Sequence, residues 1–126
     1  MSAFETPEAL KAILVRMAEL MQSDPSLIQA SKGKNLSISY EFPDLEVAFY
    51  NRFLDGRIEA GLGAVENAEM QLTMDSDVFD GMFTGKVNTA VAAMKGDISF
   101  SGNVSAAMKL QGLMKDFQRI YLAAKG

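Results

Sequence analysis

Between Asn35 and Leu62 apolar residues fall at every second position in three successive runs. Leu36, Ile38, Tyr40 and Phe42 alternate with Ser37, Ser39 and Glu41. Leu45, Val47 and Phe49 follow the break at Pro43-Asp44, and Ile58, Ala60 and Leu62 resume the pattern beyond Asp55-Gly56. A period of two is the mark of a strand with one buried face, and Asp-Gly is a tight-turn dipeptide. The run EMQLTM adds a fourth strand with Met70, Leu72 and Met74 on one side. Successive strands of this kind predict a mostly antiparallel sheet that needs cover on its apolar face alone. The rest of the chain must supply that cover.

It has the elements to do so. Thr6 is placed to cap a first helix, Pro7 suits its first position, and Glu8 favours the positive end of its dipole. Leu10, Ile13, Leu14, Met17 and Leu20 then recur at helical spacing. Asp24-Pro25 opens a short second turn that ends near Gly33. After the fourth strand, Asp75 or Ser76 is expected to cap a helix whose apolar side is Val78, Phe79, Met82 and Phe83, with Gly85 at its end. Asn88 caps the next, TAVAAMK, which stops at Gly96. DISFSG makes a fifth strand with Ile98 and Phe100 together, and Asn103 caps a long last helix. With 126 residues and no linker or repeat, the chain reads as one domain spanning 1–126.

Composition narrows the chemistry. Without cysteine or histidine the chain has no disulfide, no thiolate metal site and neither a Ser-His-Asp nor a Cys-His arrangement. A net charge of −4 argues against nucleic acid as a partner and against electrostatic docking on anionic membranes. The N-terminal stretch is interrupted by Lys11, Arg16 and Glu19, so it reads neither as a signal peptide nor as a membrane span, and the cytoplasm is the expected compartment.

Two motifs that look reactive fail on spacing. Asp75, Asp77 and Asp80 begin like a calcium loop, but Lys86 stands where the twelfth-position glutamate belongs. They read instead as helix-start residues, with Asp80 solvated. Gly81-Met-Phe-Thr-Gly85-Lys86 lacks the spacing of a phosphate loop, and Gly61-Leu-Gly63 lacks the third glycine of a dinucleotide turn.

The last helix carries Ala106, Leu110, Leu113, Met114, Phe117, Ile120, Tyr121 and Ala124 as one apolar stripe, widened near its start by Val104, Ala107 and Met108. Such a stripe fits a core helix, and part of it equally fits the wall of a cavity. Six of the nine methionines lie from Met70 onward, and methionine fills irregular space and accepts varied partners.

From about Ala68 to Leu113 the chain resembles the sterol carrier protein 2 lipid-binding domain family. The matching features are Thr84-Gly85-Lys86 at the end of a capped helix, a small-residue helix ending in glycine, the strand Gly96-Asp97-Ile98-Ser99-Phe100-Ser101-Gly102-Asn103, and Ala107-Met108-Lys109-Leu110. The resemblance implies an α+β fold, a five-stranded mostly antiparallel sheet covered on one face by helices, with an apolar tunnel between the layers. It implies reversible binding and transport of sterols, fatty acids, acyl-CoA or phospholipids, without catalysis, cofactor or metal. The candidate lining residues are Phe79, Met82, Phe83, Met94, Phe100, Met108, Leu113, Met114, Phe117 and Tyr121. An apolar lipid is the expected partner, with transient membrane contact and a homodimer compatible with it. A second reading is an accessory domain that presents a lipid-like substrate, such as a quinone precursor, to partner enzymes.

Overall fold

The computed structural model describes residues 3–126. Two helices open the chain, α1 (Pro7–Ser23) and α2 (Pro25–Ser31), followed by strands β1 (Asn35–Phe42), β2 (Val47–Leu54), β3 (Arg57–Leu62) and β4 (Met70–Met74). Helices α3 (Ser76–Phe83) and α4 (Thr89–Met94), strand β5 (Ile98–Gly102) and helix α5 (Val104–Lys125) complete it. The architecture is α+β, as the alternation predicts.

The five strands lie in the order β3-β2-β1-β4-β5. Tight turns join β1 to β2 and β2 to β3, so these pairs are antiparallel, as is β4 with β5. The pairing of β1 with β4 is parallel, so the sheet is mixed. The reason is the connection after β3, which must pass β2 and β1 to reach its place. Its residues Ala64 and Val65 share a small cleft with Ser39, Glu41, Gln71 and Thr73, on the sheet face that carries no helix. Ser39 is accordingly buried although it belongs to the polar side of its strand.

On the other face, register sets apolar residues directly opposite one another: Leu36 with Phe53, Tyr40 with Phe49, Phe42 with Val47. Such cross-strand pairs are the unit that stabilises a sheet. Helix α1 packs on β3 and β2, and α5 packs on α1, α2 and α3. The layer between is aromatic. Phe79 of α3 sits 4.9 Å from Phe42, 4.4 Å from Phe83 and 5.4 Å from Tyr121, and Phe53 stacks on Phe117 at 5.8 Å. Asn51 is the polar residue in this layer. It accepts a 2.7 Å hydrogen bond from the Tyr40 hydroxyl and donates to the Tyr50 carbonyl, so burial leaves neither group unpaired.

The caps follow the expected residues, with one exception. Thr6, Asp24, Asn88 and Asn103 each accept from a backbone N–H of the first turn that they open. At α3 neither Asp75 nor Ser76 does so. Ser76 is fully buried and donates both its N–H (3.0 Å) and its hydroxyl (2.6 Å) to Asp44, from the turn between β1 and β2. The helix start is thus held from the end of the neighbouring strand β1, a link that local sequence does not reveal. Asp80 is not solvated either. It accepts from the Tyr121 hydroxyl and from Lys125 Nζ, both at 2.6 Å, which ties α3 to the end of α5. Among the described residues no group of side chains could hold a metal ion, and no helix is long and apolar enough to cross a membrane.

Asp24 also clamps α2 to α5, since Arg119 reaches both its carboxylate oxygens at 2.9 and 2.7 Å. The guanidinium holds the Asp24 pKa below its ordinary 3.8. A carboxyl with a depressed folded pKa stabilises the fold fully above its unfolded value and ceases to do so as pH falls through the folded one. Because Arg119 is half exposed, the contribution is screened to about 1 kcal/mol. Acid titration by circular dichroism should therefore unfold the wild type with a component below pH 3.8 that Arg119→Gln removes, leaving stability at neutral pH only slightly lower.

Candidate functional site

The antiparallel register of β4 and β5 sets Leu72 opposite Phe100 and Met74 opposite Ile98. All four belong to the helix-facing side, yet Leu72 is buried while Phe100 is 50% exposed. The sheet is well covered at β1 and open at β5. Over this end lies the first half of α5, where Ala106-Ala107 keeps the side chains short. Between the two runs a cavity of about 420 Å³.

Its floor is Met70 and Leu72 of β4 with Ile98 and Phe100 of β5. Its roof is α5, through Val104, Ala107, Met108, Leu110, Gln111 and Met114, and its sides are Met82 of α3 with Thr89 and Ala93 of α4. No lining residue is ionisable; Thr89 and Gln111 are the polar ones. The lip is open to solvent, for Val104 is 75% and Met108 68% exposed. A larger hollow of about 690 Å³ on the outer side of α1 encloses nothing: it is a shallow surface lined by Glu8, Lys11, Arg16 and Glu19 among others.

Local sequence explains how α4 comes to wall the cavity. The Gly81 carbonyl accepts from the N–H groups of both Lys86 and Val87, which turns the chain back sharply after α3. A Cβ on Gly81 would lie 2.3 Å from Val87 Cγ2, so this return needs glycine. Gly102 serves the far end. Its φ is +151°, and a Cβ there would meet the Glu69 carbonyl at 2.5 Å, so only glycine lets β5 close against the start of β4. Gln118 donates to the Met82 carbonyl at 3.0 Å and fixes α3 under α5.

Of the ten residues singled out from the sequence, Met82, Phe100, Met108 and Met114 line this cavity. Phe79, Phe83, Leu113, Phe117 and Tyr121 are fully buried in the aromatic layer beside it. Burial raises the Tyr121 pKa, as does its hydrogen bond to Asp80, so its hydroxyl stays a donor. Met94 lies on α4 but outside the cavity, 88% exposed. The floor residues Met70, Leu72 and Ile98 were not singled out. Their alternation marks an inward face, but only the β4–β5 register shows that this face meets a void.

A simple contrast separates lip from core. Met108→Ala should change unfolding free energy by less than about 1 kcal/mol, because the side chain is largely in water, while Leu113→Ala five residues on should cost about 2–5 kcal/mol. Urea denaturation of the two variants checks this.

The comparisons with known proteins agree with this fold. A family model described as the SCP-2 sterol transfer family matches residues 14–115. A Xenopus tropicalis protein, hydroxysteroid dehydrogenase-like protein 2, is 29% identical over 102 residues. The match takes in 78% of this chain and 24% of that protein, so the chain spans about a quarter of the relative's length. The solution structure of the sterol carrier protein domain 2 of Helicoverpa armigera superposes with a TM-score of 0.68 at 19% identity, covering 94% of this chain and 95% of that one. A sterol carrier protein 2 of Aedes aegypti, solved in complex with palmitate, superposes at 0.56 with 15% identity, covering 82% and 91%.

Proposed function

The chain belongs to the SCP-2 sterol transfer family, and from that membership we propose that it is a non-catalytic, cytoplasmic carrier that holds one apolar lipid in the cavity between β4–β5 and α5. The observation that carries this reading is the cavity itself: about 420 Å³, lined by apolar side chains with Thr89 and Gln111. That volume lies within the range of about 300–1,000 Å³ usual for small-molecule sites. Each methylene moved from water into such a site gains about 0.8 kcal/mol, so an acyl chain brings ample driving force without any ionic contact. The same physics makes selectivity weak, since one methylene changes binding by only about 1–3 kcal/mol. A carrier of single acyl chains is the class of ligand that this lining suits, and the palmitate complex of the mosquito protein lends support. The lack of an ionisable side chain in the lining supports the absence of catalysis, which needs a group with a pKa tuned by the site.

Titration with a fluorescent fatty acid tests the proposal. Saturable binding at one site per chain, displaced by palmitate, is expected. No saturable binding would end it. A second reading, the accessory domain, draws on the matched segment's being a quarter of the amphibian relative. Stoichiometric co-purification of an enzyme from cells would favour it over a free carrier.

A further inference from the structure

The strand order leaves β3 and β5 as the two edges of the sheet. An edge strand presents a row of N–H and C=O groups that can template another strand, and natural sheets guard such edges with charges, proline, bulges or a covering element. β3 is guarded: it carries Arg57 and Glu59, joined in an ion pair, and α1 packs on it. β5 has no such guard of its own. Ile98-Ser99-Phe100-Ser101-Gly102 contains neither charge nor proline, and it pairs residue for residue with β4, so no bulge twists it away. Among the described residues the backbone of these five positions bonds only to β4. Four of the five are exposed, Phe100 at 50%. The segment is also complementary to itself. Laid antiparallel on a copy about Phe100, it sets Phe100 against Phe100, Ser99 against Ser101 and Asp97 against Asn103. Two rings, two hydroxyls and an amide opposite a carboxylate are cross-strand pairs that stabilise sheets. Asn103 uses its Oδ1 to cap α5, which leaves its side-chain NH2 to donate, and Asp97 enters no ion pair among the described residues.

We propose that β5 pairs antiparallel with β5 of a second copy of this chain, joining the two sheets edge to edge, and that the partner's Phe100 extends the floor of the cavity. The two-fold axis of such a pairing stands perpendicular to the sheet, so both helical layers lie on the same side. Phe100 belongs to the helix-facing side and to the cavity floor, so the two rings meet at the axis beside both cavities. In the single chain no strand lies beyond Phe100, and the floor ends there half in water. With five residues a side the contact is small, which makes a reversible pair and not an obligate one. The pairing rests on the edge alone; the shared floor rests on the carrier reading.

Sedimentation velocity over a series of protein concentrations, with no lipid present, tests the pairing. Wild type should show a reversible monomer–dimer equilibrium. Ser99→Lys combined with Ser101→Lys sets lysine against lysine on both sides of the axis and should weaken the dimer about tenfold or more. Ser99→Lys combined with Ser101→Glu sets lysine against glutamate at the same positions and should leave the dimer at least as strong as wild type. Both serines are exposed, so the two variants should melt with the wild type. The chain has no cysteine, so Phe100→Cys should cross-link on oxidation, and Leu62→Cys on the other edge should not. Wild type that stays monomeric throughout would overturn the proposal, as would a dimer that both charge variants weaken alike or one that Phe100→Cys fails to cross-link. At a concentration where wild type is paired, the lysine–lysine variant should bind fluorescent fatty acid severalfold more weakly than the lysine–glutamate variant; equal affinity would overturn the shared floor. A dimer with this charge pattern that takes up no fatty acid would refute the carrier and leave the pairing standing.

Discussion

Replacing Phe79 with alanine is expected to cost about 3–5 kcal/mol of unfolding free energy. Phe79 is fully buried and stands where three elements meet. Its ring lies edge-on to Phe42 and to Tyr40 at 6.0 Å, stacks on Phe83, and meets Tyr121 edge-on. Removing it empties a site bounded by β1, α3 and α5 whose neighbours are themselves rigid aromatics and collapse poorly. The melting temperature should fall by roughly ten degrees or more. Phe100→Ala is the control. That ring is half in water, so its loss should cost under about 1 kcal/mol. Equal losses for the two phenylalanines would mean that the sheet is packed as tightly at β5 as at β1, and that no cavity exists.

Filling the cavity should abolish uptake of lipid while sparing the fold. Ala107 is half-buried on the roof, so Ala107→Trp places an indole in the space that an acyl chain would occupy. Excluding even two methylenes forfeits about 1.6 kcal/mol, so fatty acid affinity should fall more than tenfold. Stability should change by less than about 1 kcal/mol, since nothing packed is displaced. The neighbouring Ala106 is fully buried, and Ala106→Trp should instead cost about 1–3 kcal/mol or more through overpacking. Denaturation and fluorescent titration of the pair separate the two sides of the helix. Undiminished affinity in Ala107→Trp would move the ligand elsewhere.

What could be read from the sequence was what short-range physics determines. Alternation in β1 to β4 and capping at Thr6, Asp24, Asn88 and Asn103 need only neighbours along the chain, and the elements appear where the pattern puts them, except that Leu45, expected to begin the second strand, lies in the turn before Val47. Features set by distant residues were hidden. The parallel β1–β4 pairing depends on where the Gly63–Glu69 connection travels. The hold of Asp44 on Ser76 and of Asp80 on Tyr121 join residues 32 and 41 positions apart. The cavity is a case of the same kind. Apolar stripes look alike whether they meet another side chain or a void, so Phe117 and Met108 share a helix and a pattern but differ in surroundings. Which end of the stripe is packed is decided by the aromatic layer under its second half and by the small residues over β5 in its first.

The carrier account is tested most directly by native mass spectrometry of protein purified from cells, followed by solvent extraction, with wild type and Ala107→Trp side by side. The account predicts a fraction of wild type heavier by one lipid bearing an acyl chain, with the same lipid recovered in the extract and absent from the variant. Wild type that carries no lipid and takes up none when offered palmitate, or a variant loaded as fully as wild type, would contradict it.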